Sequence, residues 1–172
     1  IEPLITAEIT AADNQSMPIT LPDDWYLREA IQQEVTYRIP ALIESHIDQT
    51  WAVYIPSVTH NAEVYINGVW IGAGGRFTPP VARLHNVPLL FEFSPDLLTT
   101  GNNTLDIRVV ASSARQGLLS EVYLAPVEQL RGAYEYKYFM RVRLIEWVTI
   151  GMFLLAAIVF CFWLARRQDT IY

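Results

Sequence analysis

The sequence predicts an all-β fold, an antiparallel sandwich or jelly roll, followed by a helical stem and one transmembrane helix. Three observations predict it. Short strand-like runs separated by turn residues recur up to about residue 126, no helical period precedes about residue 128, and the 19 residues 147–165 carry no charge. With 172 residues, 52% of them hydrophobic, the chain has enough apolar side chains for a real core in one domain plus attachments, so disorder is not expected.

Residues 1–35 show an early apolar stretch, LITAEIT, and a turn-rich passage, ADNQSMPITLPDDW. YRIPALI (37–43) is interrupted by Pro40, which predicts an edge strand or a bulge because proline cannot donate to a ladder. TWAVYIP (50–56) alternates, with Trp51, Val53 and Ile55 on one face and Ala52 and Tyr54 on the other. AEVYI and VWIGA flank Asn67 and Gly68, the pair suited to a two-residue type I′ hairpin whose central residues both need positive φ. PLLFEFS groups Leu89, Phe91 and Phe93, and TLDIRVVA groups Leu105, Ile107 and Val109 while sending Asp106 and Arg108 to solvent. SEVYLAP closes the set, and Trp51, Val53, Ile55, Leu105, Ile107 and Val109 are expected in one core. Residues 128–146, EQLRGAYEYKYFMRVRLIE, read as a helical stem with tyrosines and arginines at headgroup level. Such a stem is either a solvated connector or a signalling helix that pairs with a second protomer as a homodimer.

Charge is uneven along the chain. Residues 1–130 hold 15 Asp+Glu against 6 Lys+Arg, a net of -9, and residues 131–172 hold 3 against 6, a net of +3. So acidic a domain excludes nucleic acid as a partner, because phosphate neutralisation supplies most of that affinity. Cys161 is the only cysteine and lies in the apolar run, so no disulfide or thiolate metal cage forms within one chain.

As a helix, residues 147–165 extend about 28 Å, close to the roughly 30 Å of a bilayer's hydrocarbon core. Trp147 and Trp163 stand near its ends, where indoles favour the membrane interface. Arg166 and Arg167 follow the span and favour a cytoplasmic tail, whereas Arg131, Lys137, Arg141 and Arg143 precede it. Long domains translocate largely regardless of charge, so the expected orientation is domain outside, tail inside. The chain starts with Ile1 instead of Met, which suggests a removed signal peptide or an artificial boundary.

The run Gly72, Ala73, Gly74, Gly75 is no dinucleotide fingerprint, because Phe77 holds the third glycine position and no helix signal follows. It reads either as a wide turn or as a ligand loop whose glycines let backbone approach a ligand. Arg76 and Phe77, with Arg83, His85 and Asn86 shortly after, combine an aromatic face with several donors, the chemistry a sugar needs. Arg83 and Asn86 have a purely structural alternative, holding a buried loop through carbonyls. Trp25 and Tyr37 are expected as core anchors, Asn102 in a turn, and the adjacent Asp23 and Asp24 on a solvated face or at a helix start. His46, His60 and His85 lack metal-ligand spacing and no serine sits in a nucleophile elbow, so neither metal, cofactor nor catalytic residue is expected in this chain.

Taken in order, LPDDW (21–25), TYRI (36–39), AEVYINGVWIGAGG (62–75), ARLHNVP (82–88), LLTTGNNTLDIRV (97–109) and EVYLAP (121–126) resemble the galactose-binding-like jelly roll. The set is most similar to the periplasmic sensor domain of bacterial seven-transmembrane receptors with diverse intracellular signalling modules, and more distantly to the sugar-binding domain of glycoside hydrolase family two. The family more often carries an aromatic at the position of His85. The likeness covers roughly residues 18–130 and extends through the span; together with the residue pattern it gives an expected jelly-roll sensor domain at 1–130, a juxtamembrane stem at 131–143, a transmembrane helix at 144–165, and a cytoplasmic segment starting at 166–172. It also implies residence in the bacterial inner membrane, with residues 1–143 periplasmic, the C-terminus cytoplasmic, and an output such as a histidine kinase or diguanylate cyclase that this chain does not contain.

The expected function is therefore a non-enzymatic sensory ectodomain for a carbohydrate or similar small polar ligand, with Arg76, Phe77, Arg83, His85 and Asn86 as ligand contacts. Two alternatives belong to other classes. One is an envelope module that docks a protein, and the other is an accessory sugar-binding domain of a membrane-tethered glycoside hydrolase.

Overall fold

The computed structural model of the chain describes residues 1–10, 16–27, 34–44, 48–59, 61–75, 87–111 and 117–169. It has two compact units, Ile1–Lys137 and Tyr138–Tyr172.

The first unit is an antiparallel β-sandwich, as the alternation predicts. Its strands are β1 (Thr6–Thr10), β2 (Ser16–Thr20), β3 (Asp23–Asp24), β4 (Glu34–Ile43), β5 (Trp51–Ile55), β6 (Asn61–Ile66), β7 (Val69–Gly74), β8 (Leu89–Phe93), β9 (Gly101–Val110), β10 (Leu118–Leu119) and β11 (Tyr123–Pro126). Six of them form one sheet in the order β2-β1-β4-β9-β6-β7, β11-β5-β8 form a three-stranded sheet, and β10 pairs with β3. Helix α1 (Val127–Tyr138) follows β11 directly.

Period-two patterning positions the core. On β4, Val35, Tyr37, Ile39, Ala41 and Ile43 are buried, and on β9 so are Leu105, Ile107 and Val109. Trp51, Val53 and Ile55 from the smaller sheet join the same cluster, so the six residues expected to share a core do share it. Asn67 and Gly68 form the predicted hairpin, with φ of 49° and 80°. The hairpin is tied down by the Asn67 side chain, whose Nδ2 donates to the Leu97 carbonyl (2.8 Å) and whose Oδ1 accepts from the Thr104 amide (2.9 Å).

Two expectations are corrected. The turn-rich passage contains a strand, since β2 pairs along its whole length with β1 from Thr6↔Thr20 to Thr10↔Ser16. Pro40 does not make β4 an edge strand, because β4 lies between β1 and β9. The proline is accommodated because the β1 ladder reaches only Thr36–Arg38, so Pro40 pairs with Thr104 of β9 and faces no β1 partner.

In the second unit, Phe139–Arg143 forms a π-helical turn and leads into α2 (Leu144–Asp169). Every side chain from Leu144 to Arg167 is exposed within this chain. The helical run Val127–Arg167, 41 residues, is long and apolar enough to cross a membrane by length and composition, and its most apolar window is 0% buried. A soluble core helix would bury much of such a window. Near the end of the helix the Trp163 ring stacks with Phe160 (centroids 5.9 Å apart) and lies under the Arg167 guanidinium at 5.4 Å.

Candidate functional site

The five expected ligand contacts, Arg76, Phe77, Arg83, His85 and Asn86, lie outside the described residues, as do His46 and His60. The strand that leads to them is described, and it assigns the glycine run a packing role. A Cβ on Gly72 would stand 2.5 Å from the Phe91 ring, and one on Gly74 would stand 2.4 Å from a Leu89 methyl. Gly75, at φ +98°, would bring its Cβ to 1.8 Å from the Asn61 side chain. The space these glycines leave is therefore filled by β8 and Asn61. Packing of the opposite sheet against β7 accounts for Gly72 and Gly74, and contact with Asn61 of the neighbouring strand accounts for Gly75.

Trp25 and Tyr37 are buried core anchors as expected, and they are joined: the Trp25 indole donates to the Tyr37 hydroxyl at 2.6 Å, and that hydroxyl donates to Asp23. Asp23 is buried, which corrects the solvated face expected of it, whereas Asp24 is exposed and accepts from the Tyr26 amide (3.0 Å). A buried carboxylate needs donors that replace its hydration, and here one of them lies 14 residues away, on β4. The turn role expected of Asn102 falls to Asn103. That buried side chain accepts from the Thr99 amide (2.8 Å) and Asn67 Nδ2 (2.9 Å) and donates to the carbonyls of Thr99 (2.7 Å) and Gly101 (3.1 Å). Its signal was available, since it shares the inward phase of Leu105, Ile107 and Val109.

The outward face of the six-stranded sheet is a charged lattice. Arg108 reaches Glu34 with Nε (2.7 Å) and Nη2 (3.1 Å) and Glu63 with Nη1 (2.9 Å), while Arg38 Nε meets Asp106 at 2.9 Å. Hydrogen bonding from Arg108 holds the Glu34 carboxyl below its ordinary range, and the two glutamates hold Arg108 more firmly protonated. Tyr65 is pushed up by desolvation and by the Glu63 charge. Its cross-strand neighbour Trp70 is 57% exposed. A depression of about 250 Å³ opens where β1 leaves Pro40, but Arg38, its cation among the described residues, is already paired with Asp106.

The three-stranded sheet has a different outward face. Ala52, Tyr54 and Ala125 cluster there with Val127 and Leu130 of α1, and Leu90, Tyr123 and Tyr134 pack against them. The Tyr54 ring sits 5.8 Å from Tyr123 and 6.3 Å, edge-on, from Tyr134. Burying Val127 and Leu130 is worth about 1.5–3 kcal/mol each, whereas the exposed Arg131–Glu92 pair at 3.1 Å adds at most about 1 kcal/mol. Apolar contact, then, docks the stem. Beside this contact lies a groove of about 360 Å³ lined by Ile1, Tyr54, Pro56, Tyr123, Gln129, Leu130, Ala133 and Lys137. Its aromatic side is the half-buried Tyr123, since Tyr54 is only 4% exposed beneath the stem.

No family model matches the sequence, and no curated protein matches it. Solved structures do match the fold. An FMN-binding β-glucuronidase from Faecalibacterium prausnitzii L2-6 aligns over 70% of this chain and 21% of its own, with TM-score 0.55 and 15% identity. A GH2 β-galacturonidase from Eisenbergiella tayi aligns over 70% and 22%, with TM-score 0.53 and 13% identity. A Ruminococcus gnavus β-glucuronidase aligns over 72% and 28%, with TM-score 0.54 and 10% identity. What they share is the β-sandwich. This chain thus spans between a fifth and somewhat over a quarter of those enzymes, and the likeness concerns the fold alone.

Proposed function

We propose that this chain is the sensory ectodomain and first membrane anchor of a bacterial inner-membrane receptor, binding a carbohydrate or similar small polar ligand outside the cytoplasm. One observation carries the reading: α1, which precedes the apolar helix in sequence, is itself packed on the sandwich through Val127 and Leu130. A ligand that favours one arrangement of sheet and stem therefore has a mechanical route to the membrane, and shifts the equilibrium by its differential affinity for the two arrangements. The sequence resemblance to sensor domains of seven-transmembrane receptors supports the same reading and supplies its output, a histidine kinase or diguanylate cyclase beyond Tyr172. The chain itself contributes binding and no catalysis. Arg76, Phe77, Arg83, His85 and Asn86 remain the proposed contacts for the ligand's hydroxyls and ring face.

The structural neighbours favour a second reading, an accessory domain of a membrane-tethered glycoside hydrolase, since the enzymes that share the sandwich are glycosidases. Reporter fusions after Tyr172 test the orientation on which the receptor reading depends. The receptor reading expects activity from a cytoplasm-only reporter and none from a periplasm-only reporter; the reverse pattern rejects it.

A further inference from the structure

We propose that the turns just before the apolar helix form a collar for anionic phospholipid headgroups, with Arg141 and Arg143 as its donors. The inference rests on the reading of α2 as a membrane span and adds which lipids surround its first turns.

Between Tyr136 and Ile145 the chain carries three cations, Lys137, Arg141 and Arg143, and no Asp or Glu, whereas residues 1–130 hold 15 acids against 6 cations. In the proposed orientation these cations lie on the translocated side, where positive charge does not favour insertion. They need another use. Arg141 has no hydrogen-bond or ion-pair partner among the described residues, and Arg143 has only the exposed Glu146, at 3.5 Å. Around the two arginines Phe139, Met140, Leu144, Ile145 and Trp147 are exposed as well. Cations interleaved with exposed apolar side chains suit neither water nor hydrocarbon, and they suit the boundary between the two.

Depth points to the headgroups. The charge-free run starts at Trp147, and Arg143 and Arg141 precede it by four and six residues. Along a helix those separations are about 6 Å and 9 Å, and the headgroup layer is roughly 5–8 Å deep on each side of the hydrocarbon core. Arg143 therefore lies within the layer, and Arg141 stands at its outer margin with a flexible stem that reaches in. A guanidinium presents a fork of donors that matches a phosphate. Two residues apart on a helix, the arginines point to roughly opposite sides, so each takes a different headgroup. Phosphatidylcholine neutralises its phosphate with its own ammonium group, whereas phosphatidylglycerol keeps a net negative charge. The collar therefore favours the second.

The test is quenching of Trp147 fluorescence by brominated lipid, with the full chain in nanodiscs. Trp163→Phe removes the indole at the other end of the span, and a further Trp147→Phe chain supplies the background from Trp25, Trp51 and Trp70 of the sandwich. At equal mole fraction, brominated phosphatidylglycerol should quench Trp147 more than brominated phosphatidylcholine, with a local preference of about fivefold at each arginine. Arg141→Gln and Arg143→Gln should each lower that preference, and the double variant should bring it to about twofold or less. Both side chains are exposed, and an unchanged melting temperature of the sandwich confirms that the variants fold. Equal quenching by the two lipids in wild type, or a preference that survives the double variant, overturns the collar and leaves the span intact. Quenching by neither lipid rejects the span and the collar together. A dimer that the double variant dissolves assigns the arginines to a second copy of the chain and overturns the proposal. A lipid preference found together with a periplasmic C-terminal reporter rejects the receptor reading and leaves the collar intact.

Discussion

The two outward faces of the sandwich meet water in opposite ways. The six-stranded sheet turns out Glu34, Arg38, Glu63, Asp106 and Arg108, which satisfy one another in ion pairs across β4, β9 and β6. The three-stranded sheet turns out Ala52, Tyr54 and Ala125, which are covered by Val127 and Leu130 of the stem. All five residues of β5 are consequently buried, and the strand has no solvent face at all. The difference shows that α1 completes the fold where the smaller sheet needs a cover. The charged face needs none and tolerates change, because exposed pairs contribute little.

Mutations on the two faces should differ accordingly. Leu130→Ala should have the largest effect, a loss of about 3 kcal/mol in chemical denaturation, because a side chain only 2% exposed is removed from a packed contact. Gly74→Ala, at the join between β7 and β8, should cost about 1–3 kcal/mol by forcing Leu89 to move, and Leu89→Ala in the same chain should recover part of that loss. Arg108→Met should cost about 1 kcal/mol near neutral pH, since it leaves Glu34 and Glu63 without their shared donor. The pH dependence has a definite sign. Glu34 has a lowered folded-state pKa, so its contribution is complete above its ordinary value of 4.5 and fades as pH falls below that. Melting curves of wild type and Arg108→Met should therefore converge below pH 4.5. Arg38→Met should change stability least, by about 0.5 kcal/mol or less, because its side chain is 61% exposed.

Much of this contrast was legible in the sequence, for physical reasons that stop at identifiable places. Alternation exposes the inward residues of β5 and β9, and Asn67-Gly68 names its own turn, because both signals are local. The apolar character of Ala52 and Tyr54 on the second face of β5 was visible too, but what covers them depends on a helix more than 70 residues later. Asp23 gave no local sign of burial, since its donor Tyr37 belongs to another strand. Gly72 and Gly74 looked like a loop signal, yet their period-two spacing marks an inward face, and only the opposing Phe91 and Leu89 reveal why no side chain fits. The pairing of Arg108 with both Glu34 and Glu63 requires the register of β4, β9 and β6, which alternation alone does not set.

The central claim is that sandwich and stem are one cooperative unit, and hydrogen exchange of the full chain in nanodiscs tests it most directly. The amides of residues 130–133 in α1 should be protected to the same extent as those of β5, and Leu130→Ala should reduce protection at α1, β5 and β9 alike. Stem amides that exchange as an isolated helix does, while β5 stays protected in wild type and mutant alike, would contradict the account.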